Sequence, residues 1–132
     1  MDMRTVNPEG WLAPRGYSNG IVAEGKLLFV AGQIGWDPRA NPPTFPETFS
    51  AQFEVALQNI VEVVQAAGGT AQNITRLTIY VVDKREYNAQ IKEVGAAFRK
   101  VMGKHYPVMA LLVVAGLLED KAKVEIEATA VL

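Results

Sequence analysis

The closing segment of the chain, HYPVMALLVVAGLLEDKAKVEIEATAVL (residues 105–132), combines two strand patterns that differ in kind. In residues 122–131, Lys and Glu alternate with Val, Ile and Ala, which is typical of a strand with one buried and one polar face. Residues 108–115 are apolar at every position, so this strand has two apolar faces. A strand of that kind is normally covered on both sides. The segment therefore predicts a sheet with packing partners on both faces.

The rest of the chain alternates between strand and helix patterns. The predicted strands are residues 18–23, 26–34 and 73–82, and the predicted helices are residues 49–67 and 84–102. Glu24-Gly25 is interpreted as the turn of a hairpin between the first two strands, because glycine adopts the positive φ that such a turn needs. The resulting order β-β-α-β-α-β-β predicts an α+β sandwich of one sheet and two helices.

The helix ends carry recognisable capping residues. Thr48 is the predicted N-cap of the first helix, and Gly68-Gly69 ends it. Asp83 and Glu86 have the spacing of a capping box at the start of the second helix. Gly95 lies in the middle of that helix and costs about 1 kcal/mol relative to alanine. Its position indicates close packing against a neighbouring group.

The two helices can cover only one face of the sheet. Val124 and Ile126 alternate with Glu125 and Glu127, so we expect the first pair to face the helices and the second pair to point away. Nothing else in the 132 residues is left to cover the second apolar face of residues 108–115. We therefore predict a homo-oligomer that covers this face with another copy, with pockets at the seam.

Composition indicates one domain, residues 1–132, with 49% apolar and 20% charged side chains. The absence of cysteine excludes disulfides, cysteine nucleophiles and thiolate metal sites. Together with an N-terminus that lacks a signal-peptide pattern, it favours a cytoplasmic location. A net charge of -1, without a clustered basic face, argues against nucleic acid as a partner. The apolar run 108–118 is shorter than the about 20 residues of a membrane helix.

Few residues offer catalytic chemistry. The single histidine, His105, lies in a predicted turn and is interpreted as an exposed histidine rather than a triad base. No carboxylate cluster has metal-ligand spacing, so no metal site and no cofactor are predicted. Glu125 and Glu127 lie about 6–7 Å apart on one strand face, a separation that suits acid–base work. Alternatively, this pair is only a solvated edge that discourages aggregation.

Four segments together resemble the RidA family, also called the YjgF or L-PSP family. They are RGYSNGIVAEGKLLFVAGQIG (15–35), QFEVALQNIVEVVQAAGG (52–69), ITRLTIYVVD (74–83) and KVEIEATAVL (123–132). The similarity extends over residues 16–132. It implies a chorismate-mutase-like α+β fold with one mixed sheet covered by two helices. It also implies a homotrimeric barrel with ligand clefts at the subunit boundaries.

Enzymatic members of that family hydrolyse reactive enamines and imines, such as 2-aminoacrylate, to ketoacids and ammonia. By resemblance, Tyr17 and Gly32 are substrate-binding residues and Glu125 is the catalytic residue near water. The family places an arginine two residues after the proline that opens its fourth strand. Here Pro107 is followed by Val108 and then Met109. The resemblance therefore breaks at the residue that would bind a substrate carboxylate.

Methionine offers none of the hydrogen bonds of a guanidinium, which are worth about 1.5–3 kcal/mol each to a charged group. Leu111 makes the cleft wall still more apolar, and Lys92 lies near the position of a family asparagine. Arg15 and Lys92 are the candidate replacement cations. We expect Tyr17, Tyr80, Met109 and Leu111 to line the cleft, with Met109 facing a crevice between copies rather than lying beneath the helices.

Three functions remain open at this point. The first is an enamine or imine hydrolase for a substrate other than 2-aminoacrylate, in which Glu125 positions or activates water and the Gly32 N–H polarises the substrate. The second is a non-catalytic trimer that binds apolar or aromatic small molecules in its cleft. The third, an endoribonuclease or translation inhibitor, is least favoured because the charge balance offers no phosphate-binding surface.

Overall fold

The computed structural model describes residues 2–132 and contains six strands and three α-helices within them. The strands are β1 Asp2–Val6, β2 Gly20–Glu24, β3 Leu27–Ile34, β4 Ile74–Val81, β5 Val108–Val113 and β6 Val124–Val131. The helices are α1 Phe49–Ala66, α2 Lys84–Ala89 and α3 Ile91–Met102, with a 3-10 turn at Ala71–Asn73. This is the α+β class that the sequence predicted.

The main sheet has four strands in the order β3-β6-β4-β5. The β3–β6 and β6–β4 pairs are antiparallel, and the β4–β5 pair is parallel. The sheet is therefore mixed, as predicted. Strands β3 and β5 are its two edges, and β5 carries Met109 and Leu111.

The predicted hairpin between residues 18–23 and 26–34 is wrong. Strand β2 pairs with β1 in a separate two-stranded sheet, with Asp2 opposite Glu24 and Val6 opposite Gly20. Strand β3 instead pairs with β6. The chain passes from one sheet to the other at Gly25, which has a φ of +150°, and Lys26 then exchanges backbone hydrogen bonds with Leu132. Gly25 does mark the end of β2, but Glu24 belongs to that strand and β2 and β3 do not pair with each other.

The predicted second helix is divided at Gln90 into α2 and α3. Asp83 caps α2 by accepting hydrogen bonds from the backbone N–H groups of Arg85 and Glu86. The Glu86 carboxylate lies 2.8 Å from Lys123 Nζ. Gln90 directs its Oε1 to the backbone N–H of Ser50, at 2.9 Å. This contact joins the break to the first turn of α1.

One core lies between the main sheet and the helices. The apolar stripe predicted for α1 is confirmed, because each of its members is at most 2% exposed: Phe49, Phe53, Leu57, Ile60 and Val64. The alternation predicted for β6 is also confirmed. Val124 and Ile126 are fully buried beneath the helices, whereas Glu125 is half-buried and Glu127 is exposed on the other face.

Two buried amides on α1 fix the loops around the sheet. Gln52 Nε2 donates to the carbonyls of Pro46 and Lys121, both at 3.0 Å, and its Oε1 accepts from the N–H of Lys123 at 2.9 Å. Asn59 donates to the carbonyl of Trp36 at 3.0 Å. Buried polar groups need such partners. Gln52 thereby positions the start of β6, the strand that carries Glu125.

Candidate functional site

Three polar side chains and one glycine lie together on the sheet face opposite the helices. They are Tyr80, Glu125, Glu127 and Gly32, and we call them the outer-face cluster. Tyr80 lies opposite Glu125 in the β4–β6 register, and its hydroxyl donates a 2.7 Å hydrogen bond to Glu127 Oε1. This hydrogen bond stabilises the protonated phenol, so the pKa of Tyr80 is raised above its ordinary value.

Gly32 brings the backbone of β3 directly against Glu125. The register of β3 with β6 shifts between Val30 and Gln33, as in a β-bulge. A β-carbon at position 32 would lie 2.5 Å from Glu125 Oε2, so only glycine leaves room for the carboxylate there. Bulges of this kind often re-aim groups next to active sites. The bulge places backbone amides and a carboxylate at one point of the outer face.

A cavity of about 480 Å³ lies on the helix side of the sheet, between β5 and α3. We call it the β5–α3 cavity. The residues that matter for its chemistry are Arg15, Tyr17, Phe98, Arg99, Met109 and Leu111. Tyr17 is 42% exposed and Leu111 is 39% exposed, so the cavity reaches solvent.

The loop that carries Arg15 and Tyr17 is fastened to the beginning of β5. The N–H of Ser18 donates to the carbonyl of Pro107 at 3.1 Å, and its hydroxyl donates to the carbonyl of Tyr106 at 2.5 Å. These two bonds give the loop a fixed place beside the cavity. Ser18 thereby holds the loop, and with it Tyr17, beside the cavity.

The cavity walls are largely aromatic and aliphatic. The rings of Phe98 and Tyr106 stack with centroids 5.6 Å apart, and both residues line the cavity. Tyr87 also lines it and packs edge-on against Phe49 of the core. Burial raises the pKa of Tyr87. Concave sites of this volume with mostly apolar walls are typical small-molecule sites.

The only charged side chains that line the cavity within residues 2–132 are Arg15 and Arg99. Neither of them forms an ion pair with a carboxylate of the described chain. The guanidinium of Arg99 lies across Gly95, where a β-carbon would be 3.3 Å from Nη1. The cavity therefore combines apolar walls with two unneutralised cations.

The structure divides the sequence-predicted site residues into two groups. Arg15, Tyr17, Met109 and Leu111 line the β5–α3 cavity. Gly32, Tyr80 and Glu125 belong to the outer-face cluster on the other side of the sheet. Tyr80 and Met109 therefore share no wall within one chain, and the prediction that both line a cleft between copies stays a prediction. Side chains alternate along β4, and the register places Ile79, not Tyr80, beside Leu111.

Lys92 does not line the cavity and is solvent-exposed on α3. Within one chain it is therefore not a cation of this cavity. Met109 lies opposite Leu77, is half-buried and packs against the core. The expectation that it faces away from the helices is wrong, because it belongs to the helix-covered face. It still lines a solvent-reaching cavity, since β5 is an edge strand.

His105 is engaged in a structural contact, in which its Nε2 lies 2.6 Å from the carbonyl oxygen of Ile74. Within residues 2–132, no three His, Cys, Asp or Glu side chains converge in a way that could hold a metal ion. In the same part of the chain, no helix has both the length and the apolar character to cross a membrane.

Sequence reasoning missed Arg99 and two of the tyrosines that line the cavity, Tyr87 and Tyr106. One signal was available for Arg99: it follows the mid-helix glycine, Gly95, by four residues, which places it one turn further along the same face. The glycine was recognised as a point of close packing. The neighbour that packs there is the Arg99 side chain.

The mixed sheet, the helices on one face and the apolar edge cavity define a small α+β domain of the Rid type. The profile of the family described as Endoribonuclease L-PSP matches residues 11–132. The chain therefore belongs to this family, to which the RidA and YjgF proteins also belong. The family recognised from the sequence segments is confirmed.

Named relatives include deaminases. The 2-iminobutanoate/2-iminopropanoate deaminase of Salmonella typhimurium is 33% identical over 107 residues, which are 81% of this chain and 80% of that protein. The goat (Capra hircus) protein of the same name is 30% identical, over 87% of this chain and 79% of its own length.

Among solved structures, the Rid-family protein of unknown function YyfB from Yersinia pestis superimposes with a TM-score of 0.85. It is 29% identical, and the match covers 100% of both chains. The structure of Escherichia coli TdcF with bound serine gives a TM-score of 0.69 at 27% identity, over 98% of both chains.

Proposed function

We propose that the protein is an imine or enamine deaminase whose site is assembled from two copies of the chain. One copy contributes the β5–α3 cavity and the other contributes Gly32 and Glu125 of the outer-face cluster. Water adds to the C=N carbon of the substrate, the C–N bond breaks, and the products are a 2-oxo acid and ammonia. Deaminase-named relatives that cover most of the chain support this reaction class.

The location of the two groups supports a composite site. The cavity lies on the helix side of the sheet and the outer-face cluster lies on the opposite side, so one chain cannot apply both to one ligand. Two copies can. The outer face also carries apolar residues that need cover: Phe29 is 74% exposed and Leu112 is 45% exposed. We propose a homotrimer, in which the outer faces meet in a central barrel.

The contact between Gly32 and Glu125 carries the catalytic assignment. Glu125 accepts a proton from the attacking water and returns it to the leaving nitrogen, as a general acid–base residue does. The backbone N–H groups of the Gly32 bulge stabilise the charge that develops on the substrate. Neither role needs a metal or a cofactor.

The substrate differs from 2-aminoacrylate in this proposal. Met109 cannot form the charge-assisted hydrogen bonds that bind the carboxylate of a small acid at β5. Its thioether and the Leu111 side chain instead favour an apolar substituent. A substrate with a larger apolar side chain suits the volume and the aromatic walls of the cavity.

The reaction is tested by following 2-oxo acid release from imines generated in place. An amino acid oxidase supplies the imines of phenylalanine and leucine, and a dehydratase supplies 2-aminoacrylate. We expect the wild type to accelerate hydrolysis of the larger imines and Glu125→Gln to abolish that acceleration. Turnover that is unchanged in Glu125→Gln would remove Glu125 from the mechanism.

A second function, a non-catalytic small-molecule binder, is supported by the cavity itself, whose apolar walls do not depend on Glu125. Binding of aromatic acids without any acceleration of imine hydrolysis would favour it over the deaminase. The RNA-cleavage function suggested by the family description is opposed by the net charge of -1. RNA binding that weakens steeply with salt would support it.

A further inference from the structure

We infer that Arg99 is the carboxylate-binding residue of the β5–α3 cavity, and that the cavity accepts acids with a bulky apolar side chain. This inference names the substrate class of the proposed deaminase and rests on that proposal for its catalytic part. Its binding part stands on the geometry and charge of the β5–α3 cavity.

The Arg99 side chain runs back along α3 toward Gly95. Side chains on a helix lean toward its N-terminus, so a residue covers the turn before its own. Position 95 lies one turn before Arg99 and carries a glycine. The guanidinium lies beside this glycine, with Nη1 at 3.3 Å and Cζ and Nη2 at 4.0 Å from the site that a β-carbon would occupy. Gly95 thus makes room for the guanidinium beside the cavity.

The lining of the β5–α3 cavity is positively charged. Arg15 and Arg99 line it, and no lining residue carries a negative charge. The other helix cation of this region, Lys100, is paired with Glu54 at 3.0 Å. Within residues 2–132, Arg99 has no carboxylate partner of this kind. Arg99 is solvent-exposed, and its guanidinium at the edge of the cavity is free to form charge-assisted hydrogen bonds with an anion that enters there.

An interaction with the dipole of α3 does not explain where the Arg99 guanidinium lies. Arg99 lies in the last turn of α3, where a positive charge interacts favourably with the exposed carbonyl groups. Its guanidinium, however, points back over Gly95, away from those carbonyls. The planar fork of arginine matches a carboxylate in two parallel hydrogen bonds. The position of the group therefore suits a ligand in the cavity better than the helix end.

The size of the ligand follows from the walls. Phe98, Tyr106 and Met109 surround a volume of about 480 Å³, which exceeds the need of a three-carbon acid. A phenyl or branched alkyl group would occupy this apolar space while its carboxylate meets Arg99. The carboxylate recognition that the β5 arginine provides in the family would thus move to α3, with the apolar side chain lying over Met109.

Phenylpyruvate is a suitable probe, because it is the 2-oxo acid product expected from the imine of phenylalanine. Phenylacetone has the same ring and ketone but a methyl group in place of the carboxylate. We expect titration calorimetry to detect phenylpyruvate binding to the wild type, with phenylacetone weaker by about tenfold or more. Equal affinities would overturn the inference, as would a failure of phenylpyruvate to bind.

Two substitutions on α3 separate the role of Arg99 from a general effect of charge. Arg99→Met should weaken phenylpyruvate binding by about tenfold or more, and Arg99→Lys should recover part of the loss. Lys92→Met removes one positive charge from the same helix outside the cavity and should leave the affinity unchanged. A loss of the same size in Lys92→Met would overturn the assignment.

Gly95→Ala provides a test that removes no charge. The added methyl group would lie 3.3 Å from Nη1 and requires the guanidinium to shift by a few tenths of an ångström, while alanine favours the helix. We expect weaker phenylpyruvate binding together with an unchanged or raised Tm. Unchanged binding in this variant would contradict the role given to Gly95.

The oligomeric state of Arg99→Met, measured by size-exclusion chromatography, should equal that of the wild type. Dissociation would instead make Arg99 an interface residue and overturn the inference.

Failure of the inference and failure of the deaminase proposal have different signatures. Phenylpyruvate binding that depends on Arg99, without imine hydrolysis, sustains the inference and contradicts the deaminase. Imine hydrolysis whose KM is the same in wild type and Arg99→Met sustains the deaminase and contradicts the inference.

Discussion

Gly32 and Glu125 are in such close contact that a single methyl group at position 32 would come within 2.5 Å of the carboxylate oxygen Oε2. This contact crosses from the edge strand β3 to its neighbour β6 at a β-bulge. It joins the backbone amides of the bulge to the one carboxylate that the family resemblance implicates in catalysis. The first prediction follows directly from it.

Gly32→Ala should abolish or strongly reduce imine hydrolysis, because the new methyl group forces the Glu125 carboxylate out of its position. A loss of stability should accompany the loss of activity. The double variant Gly32→Ala/Glu125→Ala removes the clash and should recover the stability but not the activity. Denaturant unfolding and the imine assay measure the two effects. Full activity in Gly32→Ala would contradict the role of this contact.

Met109→Arg should create the charge-assisted carboxylate contact that the natural chain lacks on β5. We expect the variant to gain activity on 2-aminoacrylate and to lose affinity for bulky apolar acids, since the guanidinium occupies part of the cavity. Met109→Leu, which preserves apolar character, is the matched control and should retain the wild-type preference. Wild-type turnover of 2-aminoacrylate equal to that of Met109→Arg would show that the β5 residue does not set specificity.

Glu127→Ala should lower the pKa of Tyr80 toward its ordinary value of 10.0, because it removes the hydrogen bond from the phenol to the carboxylate, the main cause of the raised pKa. Titration of tyrosinate absorbance, with Tyr80→Phe to identify the signal, measures the change. The pKa is raised in the folded state, so the stabilising contribution is present below about pH 10 and is lost as pH rises through the folded pKa. An identical Tyr80 titration in both proteins would contradict this pairing.

Gln52→Leu should destabilise the fold by about 2 kcal/mol, because it removes the partners of two carbonyl groups and one N–H group in a part-buried place. Gln58→Leu, on the same helix, is the control. Gln58 is exposed and its amide contacts only Glu54 on α1 at 3.3 Å, so its loss should change stability by no more than about 0.5 kcal/mol. Unfolding in urea measures both. Equal effects of the two substitutions would show that Gln52 does not hold the loops.

The elements of the main core could be predicted from the sequence because each has a strong local pattern. The stripe of α1 and the alternation of β6 are complete within their own segments, and both are confirmed. The β1–β2 pair was missed because its pairing depends on residues far apart in the chain, and no pattern was recognised in residues 2–6. The residues Glu24-Gly25 indicated a turn, but turn residues do not determine which strands β2 and β3 pair with.

The candidate site was predicted in part for a similar reason. Arg15, Tyr17, Met109 and Leu111 line one cavity, whereas Tyr80 lies on the opposite face of the sheet. The register of β4 with β5, which decides this, is not readable from either strand alone. Arg99 was missed because an exposed arginine on an amphipathic helix has the pattern of a solvent-facing residue. Only the fold shows that it lies across Gly95 beside the cavity.

A mixing experiment shows whether the β5–α3 cavity of one copy acts together with Glu125 of another. Glu125→Gln removes the proposed base, and Leu111→Trp fills the cavity; we expect each homo-oligomer to be inactive in imine hydrolysis. After the two variants are unfolded together and refolded, we expect activity to return at about a quarter of the sites, because each such site joins an intact cavity to an intact Glu125. Mixed oligomers that form but remain inactive would contradict that expectation.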